Sequence, residues 1–356
     1  MSISQLSLTD FRNLQSITLD FHPTINLISG DNGSGKTSLL EAIFILCQAR
    51  SFRTHHLKRT IQHDKNGFLL FGRFNDYKAG LSKTADKFDI RVNGEAIKRR
   101  SILVNKTPIN IVNTDSLDLI TGSPQQRRQY LDWCMFHVEQ SYNQHWQKYQ
   151  HALKQRNKLL KSRKDLKLLE YWDDYLINPS IVLQAYRENY CGEIEQQVKS
   201  ELSELLQDVN IGLKYLQGWH SSMSLKESLN KNRERDIRSG FTNTGIHRDN
   251  IQILADGYPA ADVLSRGQLK RLSLALLIAA LKILKQKSGR QLILLVDDLR
   301  AEMDGLAQER VYESLLAIGL QLFITNIEPH VPEAIKGKDF KMFHVEHGMI
   351  KTRKFS

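Results

Sequence analysis

The chain has 356 residues, 41% apolar and 25% charged, the proportions of a soluble globular protein with room for two domains or one domain carrying a large insertion. Its 50 Lys and Arg against 39 Asp and Glu give a net charge of +11, which favours an anionic partner, nucleic acid before an acidic membrane surface. The three cysteines, Cys47, Cys134 and Cys191, form no C-x-x-C, and neither a signal-peptide core nor a bilayer-length apolar run is found, so a cytoplasmic protein without a membrane partner is expected.

Ile3 to Asp10 and Ser16 to Phe21 alternate at period two around Arg12-Asn13 and predict a strand pair. A third strand, Ile25 to Ile28, runs into Gly30-Asp31-Asn32-Gly33-Ser34-Gly35-Lys36-Thr37-Ser38, a full match to the G-x-x-x-x-G-K-[ST] phosphate loop. Glycines let successive N–H groups converge on one anion at a helix start. Lys36 supplies a mobile charge for the β- and γ-phosphates, and the Thr37 hydroxyl can complete a Mg²⁺ shell. Leu39, Leu40, Ile43, Leu46 and Cys47 follow at helical spacing. Nucleotide binding is therefore expected.

After that helix the chain turns basic, with Arg50, Arg53, Lys58 and Arg59, a pattern that fits either a solvated face or contacts to ligand or DNA phosphate. Phe68 to Phe74 and Lys87 to Val92 predict two more strands, with a hairpin turn at Asn93-Gly94. From Gln129 an apolar stripe at 131, 135, 138, 142, 146, 149 and 153 predicts one long helix continuing to Lys161. Its distal part is basic through Lys148, Lys154, Arg156, Lys158, Lys161, Arg163, Lys164 and Lys167. Asn178-Pro179-Ser180 marks a helix restart, and a second stripe runs from Leu183 to Leu205. The pair predicts an antiparallel arm with a basic elbow, whose tip is either solvated or a DNA contact through Arg163, Lys164 and Lys167.

Phe241 to Ala255 predicts a return to strand, opening on Gly245-Ile246-His247-Arg248-Asp249, where a lone histidine is more often a turn or core residue than a catalytic one. Leu264-Ser265-Arg266-Gly267-Gln268 opens an apolar helix and offers a second set of free N–H groups at Ser265, Gly267 and Gln268. Leu292 to Val296 is an apolar strand ending in Asp297-Asp298. Behind a phosphate loop, Asp297 would hold Mg²⁺ and Asp298 would orient or deprotonate the attacking water. No triad, paired-carboxylate or metal-ligand spacing points to another chemistry.

This order of phosphate loop, insertion, LSRGQ and apolar strand with an Asp pair resembles the ABC-type, SMC-like ATPase heads. The resemblance implies an α/β fold: an ABC-type phosphate-loop head with a β-rich N-terminal lobe, formed by residues 1–128 and 235–356, and an inserted α-helical arm at 129–234. It also implies a head-to-tail homodimer in which Ser265 and Gly267 of one copy cap the γ-phosphate on the other's Lys36 loop, closed by ATP and released by hydrolysis.

More finely, LSLTDFRN (Leu6 to Asn13), GDNGSGKTSLLEAI, RSFR (Arg50 to Arg53), GSPQQRRQYLDW (Gly122 to Trp133), the HRD at 247–249 and LSRGQ together resemble the RecF family over essentially the whole chain. That family implies DNA replication and recombinational repair in the DNA-damage (SOS) response. The ATP-bound dimer would bind double-stranded and gapped DNA without sequence preference, and would assist recombinase loading with RecR and, in the pathway, RecO. The chain departs from the pattern at Asn113 to Leu117, at Ala301-Glu302-Met303-Asp304, at Asn250, and at Thr325 where many ABC heads carry a switch histidine, so a slow ATPase is expected. The competing readings are an ABC ATPase subunit of a transporter or other complex, and a DNA scaffold in which ATP is structural.

Overall fold

The computed structural model describes residues 2–114, 119–205, 209–299, 303 and 305–353. It divides into two compact units, one of residues 1–117 and 289–356, the other of 118–288. The expected departures at Asp115 to Leu117 and at Ala301, Glu302 and Asp304 lie outside the described residues. Among those described, no helix is long and apolar enough to cross a membrane.

The discontinuous unit opens with β1 (Ile3–Thr9), β2 (Ile17–Asp20), β3 (Ile25–Ser29) and α1 (Lys36–Gln48). It continues with β4 (Gly67–Phe74), β5 (Lys78–Thr84), β6 (Phe88–Val92), β7 (Glu95–Ala96), α2 (Arg100–Val104) and β8 (Ile109–Val112). β1 and β2 pair antiparallel, Leu6 opposite Leu19, in a sheet of order β2-β1-β4-β5-β6-β7. Strand β5, KAGLSKT, is not evident in the sequence because its glycine and lysines hide the alternation; Ala79 and Leu81 nevertheless point inward. The β6–β7 turn is at Asn93-Gly94, both with positive φ (51° and 88°), as a type I′ hairpin needs.

The continuous unit holds α3 (Pro124–Val138), α4 (Tyr142–Ser162), α5 (Leu169–Leu205) and β9 (Ile211–Leu216). After them come α6 (Leu225–Lys231), α7 (Arg233–Ser239), β10 (Asn250–Ala255), β11 (Tyr258–Pro259), α8 (Ala260–Val263) and α9 (Arg266–Ser288). The remaining elements, β12 (Ile293–Val296), α10 (Gly305–Ile318), β13 (Gln321–Asn326), β14 (Lys341–Glu346) and β15 (Met349–Arg353), rejoin the first unit. Its second sheet has order β15-β14-β3-β13-β12-β8, with β14, β3, β13, β12 and β8 parallel. α1 packs against both sheets, and every one of its residues except Thr37 is buried, which is why this helix carries so little polar sequence.

Several expectations for the helical unit are corrected. The stripe from Gln129 is not one helix. α3 starts earlier, at Pro124, under a Ser123–Gln126 capping box, and ends at Val138, where Glu139 turns extended (φ −105°, ψ 113°) before α4. Leu131, Met135, Tyr142 and Tyr149 are all buried nonetheless, so the stripe reports the buried side chains and not an unbroken backbone. Conversely, α5 runs continuously through Pro179. Leu176 and Leu183 are fully buried on either side of the proline and Ser180 Oγ donates back to Leu176 O at 2.6 Å, so packing outweighs the lost N–H. α4 and α5 form a helical hairpin whose elbow turns at Arg163 and Asp165, both left-handed (φ 54° and 53°).

Strand β10 begins only at Asn250; residues 246–248 form a 3₁₀ turn. The unit boundaries also fall elsewhere than the expected 129–234. α9, with its LSRGQ start, belongs to the helical unit because Lys282 pairs with Glu201 (2.5 Å), Lys287 with Glu193 (2.6 Å), and Tyr130 Oη donates to Leu276 O (2.7 Å).

Candidate nucleotide site

In the discontinuous unit the phosphate loop joins β3 to α1 and lines an open cavity of ≈ 770 Å³ with Asn13, Lys36, Thr37, Asp297 and Asp298. Gly30 and Gly35 take φ of 151° and 123°, and a Cβ there would meet Val345 O at 2.2 Å and Leu14 Cδ2 at 2.6 Å, so the loop tolerates neither side chain. No side chain caps α1, which leaves its first N–H groups free to hold an anion. Among the described residues, buried Ser34 Oγ has no hydrogen-bond partner. A nest of this kind, with an orphaned hydroxyl inside it, suits the oxygens of a phosphate chain.

Lys36 Nζ donates to Gly30 O (2.5 Å) and Asp31 O (3.0 Å). Burial lowers its pKa, against the opposing pull of Asp298, Asp297 and Asp31. Thr37 Oγ1 donates to Asp297 Oδ2 at 2.9 Å, although 260 positions separate the two in sequence. This contact follows from the parallel sheet: β3 and β12 flank β13, so their C-terminal ends open on the same edge. Thr325, at the corresponding end of β13, donates to Asp297 Oδ1 (2.7 Å) and accepts from the Asp298 N–H (3.0 Å). It therefore holds the Asp297 carboxylate and the Asp298 backbone in place. Asp298 itself has a positive φ (49°), unusual for a non-glycine and found where a side chain is re-aimed.

Two residues of this site are not recognisable as such in the sequence. Asn13 Nδ2 donates to Gly33 O (3.2 Å) and Ser34 O (3.3 Å) while its Oδ1 accepts from Ser38 Oγ (2.9 Å), clamping the loop from the β1–β2 turn. Arg12 makes a bidentate pair with fully buried Glu41 (2.9 and 2.8 Å). Their one signal is their place inside the LSLTDFRN stretch.

The basic residues divide. Arg53 donates to Glu41 (3.4 Å) beside Arg12, so part of its role is to brace α1. Arg50, Lys58 and Arg59 are exposed, with the Arg50 guanidinium 6.0 Å from the Phe44 ring centre. In the helical unit Arg163, Lys164 and Lys167 are exposed at the elbow. Arg156 is not a tip residue. It is fully buried, bonded to Asp173 (2.6 Å), Asp236 (2.8 Å) and Thr242 (2.9 Å).

The 265–268 stretch lies in the helical unit as a capping box, Ser265 N–H to Gln268 Oε1 (2.9 Å) and Gln268 N–H to Ser265 Oγ (3.3 Å). Ser265 and Gly267 are not packed against the unit: a Cβ on Gly267 would meet nothing within 4 Å. His247 is held within the unit: its Nε2–H donates to Thr242 O (2.8 Å), leaving Nδ1 to accept from Tyr149 Oη (2.5 Å). Burial brings its pKa down to about 4, so it stays neutral near pH 7.

Residues 2–121 match the RecF/RecN/SMC N terminal domain model. The "DNA replication and repair protein RecF" of Shewanella loihica is 36% identical over 356 residues, covering 98% of this chain and 99% of that protein. That of Shewanella amazonensis is 37% identical over 360 residues, covering 99% and 100%. Among solved structures, "the recombination mediator protein RecF-ATP in RecFOR pathway" superposes with a TM-score of 0.87 at 27% identity, covering 99% of this chain and 98% of that one. An Smc head bound to the C-winged helix domain of ScpA gives 0.62 at 16% identity, a likeness of fold.

Proposed function

This chain belongs to the RecF family, an ABC-type α/β ATPase fold, and we propose from that premise that it is an ATP-dependent DNA-binding protein of recombinational repair. The observation that carries the reading is the Thr37–Asp297 contact, which brings the phosphate-loop hydroxyl and the strand-end carboxylate into one cavity with Lys36. The N–H groups of the loop and Lys36 would bind the triphosphate, with Thr37 and Asp297 placed to hold Mg²⁺. When bound, the ion neutralises phosphate charge. Asp298 would orient the attacking water; Thr325 holds the Asp297 carboxylate and the Asp298 N–H and carries no group basic enough to replace a histidine, which supports slow turnover.

In this reading Ser265 and Gly267 of a second copy complete the pocket, giving an ATP-dependent head-to-tail homodimer. What supports such a face is that Ser265 and Gly267 are exposed and unpacked at the start of α9. The dimer would bind duplex and gapped DNA without sequence preference and act with RecR, and RecO in the pathway.

Sedimentation with and without MgATP and gapped duplex tests this. Dimer formation is expected with ATP alone, and a larger complex with both. Ser265→Ala should bind ATP as wild type does yet remain monomeric; a dimer of unchanged stability by light scattering would count against the capped pocket. Charge neutralisation of Arg163, Lys164 and Lys167 is expected to weaken duplex binding and to reduce the slope of log K against log salt by up to about 0.9 for each DNA phosphate left without its cation. Wild-type affinity and slope would exclude the elbow from the DNA face.

A further inference from the structure

The α4–α5 hairpin carries an aromatic cluster that the nucleotide site does not use. Tyr171 and Tyr175, one turn apart on α5, are 52% and 56% exposed, far more than rings of a packed helix, and their centroids lie 4.7 Å apart. Trp172 touches both, at 5.2 and 5.8 Å, and meets His151 of α4 at 5.6 Å, so four rings bridge the two helices. His151 also lines two open grooves, of ≈ 1110 and ≈ 640 Å³. The larger runs along α4 past Lys154, Lys158 and Lys161; the smaller includes Lys148 and Tyr175. None of these four lysines makes an ion pair among the described residues, whereas nearby Asp173 and Asp174 are already paired, with Arg156 and Lys226.

We propose that the two grooves, which share His151, bind single-stranded nucleic acid, its bases stacked on the exposed Tyr171 and Tyr175 beside them and its phosphates on the lysines of α4. Lysines at helical spacing that make no ion pair among the described residues select a polyanion; of them Lys161 is already engaged, its Nζ 4.6 Å from the Phe241 ring centre, which leaves Lys148, Lys154 and Lys158. Exposed rings beside them select a polyanion whose base faces are free, because a duplex offers phosphates to the lysines but nothing for the rings to stack on. Stacking of this kind is tolerant of sequence, and so fits a platform built without a base-reading pattern of donors and acceptors.

The inference deepens the DNA-binding reading above and rests on it, but is separable from it. Fluorescence anisotropy of the full chain without nucleotide, using fluorescein-labelled oligothymidylate and a blunt hairpin duplex, tests it. Y171A/Y175A is expected to lower oligothymidylate affinity about tenfold or more while leaving duplex affinity and melting temperature unchanged. Y171F/Y175F should retain wild-type binding, and K154Q/K158Q should reduce the salt slope on the single strand by about 1.4. Equal losses on both probes would reduce the site to general electrostatics. Loss in the Phe pair as large as in the Ala pair would overturn stacking. An Ala pair silent on oligothymidylate, with poly-glutamate competing for the grooves, would assign them to an acidic protein instead. If wild type binds neither this probe nor, with MgATP, the duplex, the DNA-binding reading falls too; if only the Ala pair is silent, the platform alone falls.

Discussion

Lys36→Ala is expected to reduce ATP affinity by about a hundredfold, the equivalent of one or two charge-assisted hydrogen bonds at ~1.5–3 kcal/mol each. The ammonium already sits in the phosphate nest, within 3.0 Å of the carbonyls of Gly30 and Asp31, so the loop is shaped around a cation before any nucleotide arrives. The fold does not depend on that cation. Burial lowers the Lys36 pKa, a sign that the charged form is disfavoured there, and Asp297 is held by Thr37 and Thr325 instead. The variant should therefore melt at or slightly above the wild-type temperature without ligand, and fail to gain the further stabilisation that MgATP gives wild type by mass action. Lys36→Arg should fail similarly, since a planar guanidinium cannot follow the same path between loop carbonyls. A Lys36→Ala protein whose melting temperature still rose with MgATP as steeply as wild type's would remove the nucleotide from this cavity.

How much of that site can be read in advance depends on range. The phosphate loop is local chemistry, glycines and a lysine at fixed offsets between a strand and a helix, and the fold places them there without alteration. The Asp pair is legible as the end of an apolar run, and Ser265 with Gln268 as a helix start. The Asn13 clamp and the Arg12–Glu41 pair are not, because each needs the β1–β2 turn brought against α1, and no spacing rule encodes that contact.

The helical unit shows the same limit from the other side. Local patterns there mislead wherever packing overrides them. The 131–153 stripe crosses a break at Glu139, Pro179 sits inside a continuous helix, and Arg156, one of a run of basic residues in sequence, is fully buried against two aspartates. A charge run that reads as an elbow contains one residue that holds the unit together and several that face solvent. Only burial tells them apart.

That distinction sets the second large effect, at the HRD aspartate. Asp249→Ala is expected to destabilise the helical unit by about 3–5 kcal/mol, because it strands the fully buried Arg187 guanidinium. Asp249 accepts from Arg187 Nη1 and from Tyr215 Oη (2.6 Å), while its carbonyl accepts from Arg128 (2.6 Å). Arg187 in turn reaches Tyr142 Oη (3.1 Å), Ile246 O (3.1 Å) and Asp132, and lies 5.3 Å from the Trp146 ring centre. One guanidinium thus ties α3, α4, α5 and the 3₁₀ turn before β10, and through Asp249 it ties β9 as well. Asp132 remains in the variant but is partly solvated and cannot replace a fully buried partner. At ~2–4 °C per kcal/mol for a unit of this size, the melting transition should fall by roughly 10 °C or more. Arg187→Met added to Asp249→Ala should recover part of the loss, since an apolar pair leaves no unpaired charge, and a double-mutant cycle reads that coupling directly. ATP affinity should change little in either variant, because Lys36, Thr37 and Asp297 belong to the other unit. Additive losses, with no recovery in the double variant, would mean that the aspartate side chain stabilises the unit through Tyr215 and not through Arg187.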